Sequence, residues 1–172
     1  MTRSHEAVHV IADASGPVAA AAWGAVAGVR TFTAPALLSI AWADGRRPLA
    51  PGAVERALRG RAAPWLLGAL AAFELAADQW PGLQARIAPP SLLGRVLSAA
   101  LVGSALGHGR AGRRYSAIAA ASAVVSAFGS YWLRRAANRW LPNSVSGLLE
   151  DALVLSAGAA LAATVRRSAT RA

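Results

Sequence analysis

Residues 117–129 read AIAAASAVVSAFG, and a helix drawn through them carries no charge on any face. A helix on the surface of a soluble bundle alternates apolar and polar faces with a 3.6-residue period. Here Ser122, Ser126 and Gly129 are the only interruptions. A helix that is apolar all round is buried in a core or in lipid. The uncharged run extends over 115–133, close to the ~20 residues that a bilayer crossing needs.

Four more stretches of this kind accompany it, at 17–43 (interrupted by Arg30 and Pro35), 62–80, 91–108 and 144–165. Segments rich in Gly, Pro and Arg separate them, at 44–61, 81–90, 109–114 and 134–143. A chain of 172 residues with 15% charged residues has too little polar surface to coat five such helices, so lipid is their expected surrounding. The pattern predicts an all-α, polytopic integral membrane bundle of about five transmembrane helices, the first broken or kinked near Arg30–Pro35. Residues 1–16 form a polar segment without the apolar core of a cleavable signal peptide. A single membrane domain over 17–167 and a tail over 168–172 complete the chain. Within 49–61, Val54, Ala57 and Leu58 fall on one side of a short helix and Glu55, Arg56 and Arg59 on the other, as in a helix lying in the membrane interface.

The composition is oily and basic at once: 55% hydrophobic, mean hydropathy +0.39, formal net charge +10. The apolar content excludes a disordered basic tail, and the lack of cysteine excludes disulfides and thiol chemistry. All 18 basic residues are Arg. With five crossings, Arg46, Arg47, Arg56, Arg59, Arg61, Arg110, Arg113, Arg114, Arg166, Arg167 and Arg171 share one side. The other side receives Arg3, Arg86, Arg134, Arg135 and Arg139. Eleven against five places the C-terminus in the cytoplasm of a bacterial inner membrane and the N-terminus outside. A re-entrant hairpin over 17–43 would move the N-terminus to the cytoplasmic side and leave the other helices unchanged. Spread over short loops, these arginines form no nucleic-acid face with interleaved aromatics; anionic lipid head groups on the cytoplasmic side are the expected partners. Trp80 and Trp140 at outer helix ends, and Trp42 and Trp65 at inner ones, fit an aromatic belt.

Half of the eight acidic residues lie inside the apolar stretches: Glu74, Asp78, Glu150 and Asp151. Arg30 and Arg95 join them, with Arg134 and Arg135 at a helix end. A charge near the bilayer centre costs ~2.5–3.5 kcal/mol on insertion scales and needs a partner or a water-filled cavity. The topology gathers these residues in the outer half of the bundle. Two readings follow. They are Arg–carboxylate pairs that fix helix register, or they line a polar cavity for an ion, proton or small polar solute, with one carboxylate left to exchange protons. Pro35 removes a backbone hydrogen bond from any helix through it, and Thr31 and Thr33 are placed to bond the freed carbonyls. Broken helices of this kind hold ligands in transporters and also occur as simple kinks.

Alanine supplies about a quarter of the chain, and 16 residues are glycine. Two Gly-xxx-Gly pairs, Gly24/Gly28 and Gly103/Gly107, predict close helix contacts, either between copies in a homo-oligomer or inside one protomer. No catalytic constellation is legible: there is no phosphate loop without Lys, no Gly-x-Ser-x-Gly elbow and no cofactor motif. His5, His9 and His108 lack metal-ligand spacing, and Glu74 with Asp78 is a weak start to a metal site.

The order of several short motifs carries a resemblance. Gly28-Val-Arg30-Thr-Phe-Thr-Ala-Pro35-Ala-Leu-Leu-Ser39 is followed by Glu74-x-x-x-Asp78-x-x-Pro81 and by Arg86 ahead of Pro-Ser-Leu-x-Gly94-Arg95. Gly129-x-Tyr131-x-Leu-Arg134 then precedes Glu150-Asp151. Over most of its length the chain resembles the bacterial multi-pass membrane proteins named domain of unknown function 4126. It departs from their Asp-Lys-x-Pro at Asp78-Gln-Trp-Pro81, which removes a basic neighbour of Asp78. The resemblance implies an integral membrane protein and no particular activity. The expected function is permeation or transport through the charged cluster, with a non-catalytic scaffold or accessory subunit as its rival.

Overall fold

Pro17 opens the first helix, where its missing N–H is one that no helix start can bond internally. The computed structural model describes residues 16–43, 52–77 and 88–171. Every regular element among them is helical: α1 Pro17–Val29, α2 Thr33–Ala43, α3 Ala53–Leu58, α4 Ala63–Ala77, α5 Pro89–Ala105, α6 Gly109–Ala137 and α7 Asn143–Arg171. Asp78, Trp80, Arg86 and the N-terminal polar segment lie outside the described residues.

Two helices, α6 and α7, are long and apolar enough to cross a membrane; α1, α2 and α4 are apolar but shorter. At 1.5 Å per residue the long pair reach about 43 Å, against about 20 Å for α1 and 17 Å for α2. The stretch over 17–43 is therefore two short helices. Three other boundaries differ from the sequence reading. Residues 109–114 form the first turns of α6, Arg134 and Arg135 are still helical at its end, and α7 runs on through 168–171. The start of α6 is illegible in the sequence because Arg110, Arg113 and Arg114 sit there with no acidic residue, against the helix dipole.

The exposure pattern of the long helices is the reverse of a soluble helix. In α6 the buried residues are small, Gly112, Ala119, Ala123 and Ala127, one turn or two apart. Its large apolar residues face out, with Val125 73% exposed and Trp132 60%. In α7, Gly147, Asp151, Val154, Gly158 and Ala162 are turned inward while Leu148, Leu149 and Leu153 are exposed. Small residues inside and large ones outside is the packing that helices adopt in lipid, where close approach replaces the hydrophobic drive.

The two Gly-xxx-Gly pairs serve that approach within the chain. A Cβ on Gly24 would overlap the backbone of Ala119, and one on Gly28 the backbone of Ala123 and the Ser126 hydroxyl. Gly103 and Gly107 meet Tyr115, and Gly107 also meets Gly112 across the antiparallel α5–α6 pair. The surface expected for a homo-oligomer is thus occupied by α6.

Contacts along α7 fix the course of α1 and α2. Asp151 meets Arg30 at the turn between them. Seven residues on, Gly158 faces both Val26 of α1 and Leu37 of α2. Arg166 then donates to the Ile40 carbonyl at 3.4 Å. Moving along α7 away from Asp151 follows α2 forward and α1 backward, so the arms form a V that returns to one end of the bundle. At that end Ser39 Oγ donates to the Leu58 carbonyl at 2.5 Å and Glu55 lies 3.3 Å from His108. It therefore collects α3, the start of α6 and the end of α7, and with them Arg56, Arg59, Arg61, Arg110, Arg113, Arg114, Arg166 and Arg167. Arg134, Arg135 and Arg139 sit at the opposite end, where α6 turns into α7.

Helix α3 departs from the interface-helix expectation. Glu55, placed on its polar face by the sequence, is buried together with Leu58, while Ala57 is exposed.

Candidate functional site

Pro35 stands in the first turn of α2 and begins a helix there without breaking one. The break is the three residues ahead of it, Arg30, Thr31 and Phe32. A helix interrupted here leaves carbonyls open at the end of α1 and N–H groups open at the start of α2. Inside an apolar bundle no water is at hand to satisfy them.

Two neighbouring helices supply what is missing. From α5, Arg95 Nη1 donates to the carbonyls of Gly28 at 2.7 Å and Val29 at 2.9 Å. From α4, the Glu74 carboxylate accepts the backbone N–H of Thr31 at 2.7 Å and of Phe32 at 2.9 Å. Ser98 Oγ donates to the Thr31 carbonyl at 2.5 Å. The Arg30 N–H still reaches Val26 O at 3.0 Å, and Phe32 O already accepts the first bond of α2 from Ala36. All three N–H groups of the break are therefore bonded. The signs also agree with the helix dipoles: a cation stands at the C-terminus of α1 and an anion at the N-terminus of α2.

Arg30 is itself extended (φ −137°, ψ 116°), and its side chain forms a buried ion pair with Asp151 of α7. Arg30 is 1% exposed and Asp151 8%. The turn is thus anchored to α4, α5 and α7 by Glu74, Arg95 and Asp151.

Glu150, next to Asp151, belongs to a second group. It lies 3.4 Å from Arg134, whose Nε also points to the Asn143 side chain at 3.3 Å. Ser146 joins this group by donating to Asn138. Together they tie the α6–α7 connection. Arg135 takes part in neither cluster; it lies over Trp132 and 3.5 Å from the Tyr131 hydroxyl.

The single outer cluster expected from the sequence is accordingly two. Glu74, Arg95, Arg30 and Asp151 meet at the break, whereas Arg134 and Glu150 meet nearer the helix ends. Among the described residues of these groups, direct Arg–carboxylate pairs join Arg30 to Asp151 and Arg134 to Glu150, while Glu74 and Arg95 bond backbone groups of the break. Thr33, expected to bond a freed carbonyl, is buried with no bond at its hydroxyl among the described residues, and Ser98 takes that role. The signal that could have found the break is the place of Pro35: proline is tolerated in a first helical turn, and a charged residue five positions before it fits a non-helical turn.

Sequence reasoning misses a third polar group, at the arginine-rich end. Glu55 accepts from Arg59 Nε at 2.9 Å and lies near His108, and the Arg59 guanidinium stands 4.5 Å over the Trp42 ring. It joins α3 to α2 and to the start of α6. The i, i+4 spacing of Glu55 and Arg59 is visible in the chain, but such a pair usually marks a solvated face.

Among the described residues, three cavities lie beside these groups. One of about 370 Å³ lies between α3 and the α5–α6 turn and includes Glu55, His108 and Arg113. One of about 250 Å³ is bounded by Tyr131, Arg134, Arg135 and Asn138. The third, about 810 Å³, runs along α4 from the arginine-rich end. None of the three is lined by Arg30, Glu74, Arg95 or Asp151. Among the described residues no group of His and acidic side chains has the geometry of a metal site. No family model matches the chain, and neither a curated protein nor a solved structure matches it.

Proposed function

We propose that the chain is a multi-pass protein of the bacterial cytoplasmic membrane that acts as a non-catalytic scaffold or accessory subunit. In this reading the intramembrane charges bolt a re-entrant helical hairpin in place. One observation carries it: Glu74, Arg95 and Asp151 each engage the turn between α1 and α2, so the charges that would serve a solute serve the fold. The outward-facing large apolar residues of α6 and α7 support the lipid surrounding, and the motif resemblance to the domain of unknown function 4126 family agrees with the class. Such a protein contributes a rigid transmembrane surface to partners and moves nothing itself.

The hairpin brings Arg3 to the arginine-rich side, which turns the bias from eleven against five into twelve against four. Both termini then lie in the cytoplasm. The natural chain has no cysteine, so single-cysteine variants report cleanly. Ser4→Cys and Thr170→Cys are expected to react with an impermeant maleimide only after the cell membrane is opened. Labelling of Ser4→Cys in intact cells would put α1 across the membrane and refute the hairpin topology.

Permeation is the second reading, favoured by a helix break that carries charges of both signs inside the bundle. Liposomes containing the purified protein separate the two. The scaffold reading expects proton and small-solute leakage equal to that of protein-free liposomes. A flux that Glu74→Gln abolishes in a protein that remains folded would establish permeation instead.

A further inference from the structure

Six glycines of this chain are explained by crowding. Gly24, Gly28, Gly103, Gly107, Gly112 and Gly158 lie so close to a neighbouring element that a Cβ would collide with it. Gly68, in the middle of α4, has nothing within 4 Å of where its Cβ would be. A glycine inside a helix costs about 1 kcal/mol relative to alanine, and here no intramolecular contact offsets it. It faces open space, and that space is the groove of about 810 Å³.

The groove has two chemically distinct parts. Along α4 its wall is Pro64, Trp65, Gly68, Ala69 and Ala72, apolar for about 12 Å, with only small side chains over roughly the last 6 Å. At its mouth, on the arginine-rich end, stand Arg59, Arg61 and Arg166, brought together from two places in the sequence. Among the described residues no acidic one lines it. Arg59 pairs through Nε with Glu55 but has one terminal nitrogen without a hydrogen-bond partner among the described residues, and Arg61 is exposed. Three guanidiniums above an apolar channel match one kind of molecule: a phosphate head joined to a hydrocarbon chain. Basic pockets between helices on the cytoplasmic side bind anionic lipid head groups for the same reason.

The geometry points to a binding site for one anionic phospholipid, its phosphate held by Arg59, Arg61 and Arg166 and an acyl chain laid against Gly68, Ala69 and Ala72. The site rests on the membrane reading above and goes beyond it, since it distinguishes one retained lipid from the surrounding annulus. Such a lipid would fill the gap between α4 and the end of α7, a place where the protein alone leaves α4 without a buried residue.

Native mass spectrometry of the full-length protein in detergent tests it, with phosphatidylglycerol, phosphatidylcholine of the same chains and soluble glycerol phosphate as probes. One phosphatidylglycerol is expected to stay bound at activation that strips the choline lipid, with an affinity ratio of roughly tenfold or more. Arg61→Gln with Arg166→Gln should remove most of that ratio. Gly68→Leu should lower the retention of both lipids by filling the channel, with the melting temperature unchanged because the new side chain meets open space. Should that variant melt early, Ala72→Leu and the arginine pair decide the question. Equal retention of the two lipids, or unchanged retention in the arginine pair, overturns the site. Competition by glycerol phosphate at the concentration of the lipid overturns the acyl-chain part and reduces it to a phosphate site. Release of the wild-type chain from membranes by alkaline carbonate would overturn the membrane reading and this site with it; an alkali-resistant chain without lipid preference overturns this site alone.

Discussion

Asp151→Ala is expected to cost about 3–5 kcal/mol of stability, the range for breaking a buried ion pair by removing one partner. Arg30 is 1% exposed, and a guanidinium keeps its charge in any folded protein. Losing the carboxylate therefore removes a charge that compensates the desolvation of a cation in a low-dielectric bundle. Arg30 also sits in the unwound turn, so the penalty falls where α1 and α2 are held together. The pair can be separated from the turn by a second variant. Arg30→Met combined with Asp151→Leu removes both desolvation penalties and should recover most of the loss. The measurement is the unfolding midpoint in mixed micelles of denaturing and mild detergent. A double variant as unstable as the single would assign the effect to the turn itself. A single variant within about 1 kcal/mol of wild type would show that the ion pair contributes little.

Gly28→Val should be as damaging, for a steric reason. Its Cβ would overlap the backbone of Ala123 as well as the Ser126 hydroxyl, and helix backbone cannot rotate out of the way as a flexible side chain can. Relief requires α1 to move off α6, which opens a backbone-to-backbone contact and shifts the Gly28 and Val29 carbonyls away from Arg95. Overpacking of this kind costs ~1–3 kcal/mol in cores that can adjust, and more where they cannot. Loss of monodisperse protein on size-exclusion chromatography is the expected outcome. Gly129→Leu is the matched control, since a Cβ there meets nothing, and it should stay within about 0.5 kcal/mol of wild type. Equal behaviour of the two variants would show that α1 and α6 are not packed through their glycines.

Much of this architecture is legible in the amino-acid sequence. The uncharged run over 117–129, the scarcity of polar residues and the interruption near Arg30–Pro35 are properties of single segments, and helical class follows from them. The residues that matter at the break are legible too, because a charge in an apolar stretch is expensive wherever it ends up. Their partners are not. Glu74 and Arg95 look like ion-pair candidates in one dimension, but each bonds backbone groups that become open only once the chain is broken in a particular place. The role of Glu55 is hidden for a related reason: a six-residue helix with mixed sides gives no periodicity strong enough to say which side faces in.

Sequence alone therefore determined what each segment is made of: which stretches avoid water, which residues carry charge, and where proline forbids an internal hydrogen bond. These are local costs, fixed by the residue and its immediate neighbours. Only the tertiary structure decided how those costs are offset. It bent residues 17–43 into a V whose arms return to the arginine-rich end, in place of the kinked crossing that the apolar stretch suggests. It divided one charged cluster into a lock on that V and a tie at the α6–α7 turn, and it spent both Gly-xxx-Gly pairs inside the protomer. The physical reason is that a backbone group left open by a helix end, or a gap left by a missing side chain, is filled from whichever element packs beside it, and adjacency in space is not written in any single segment.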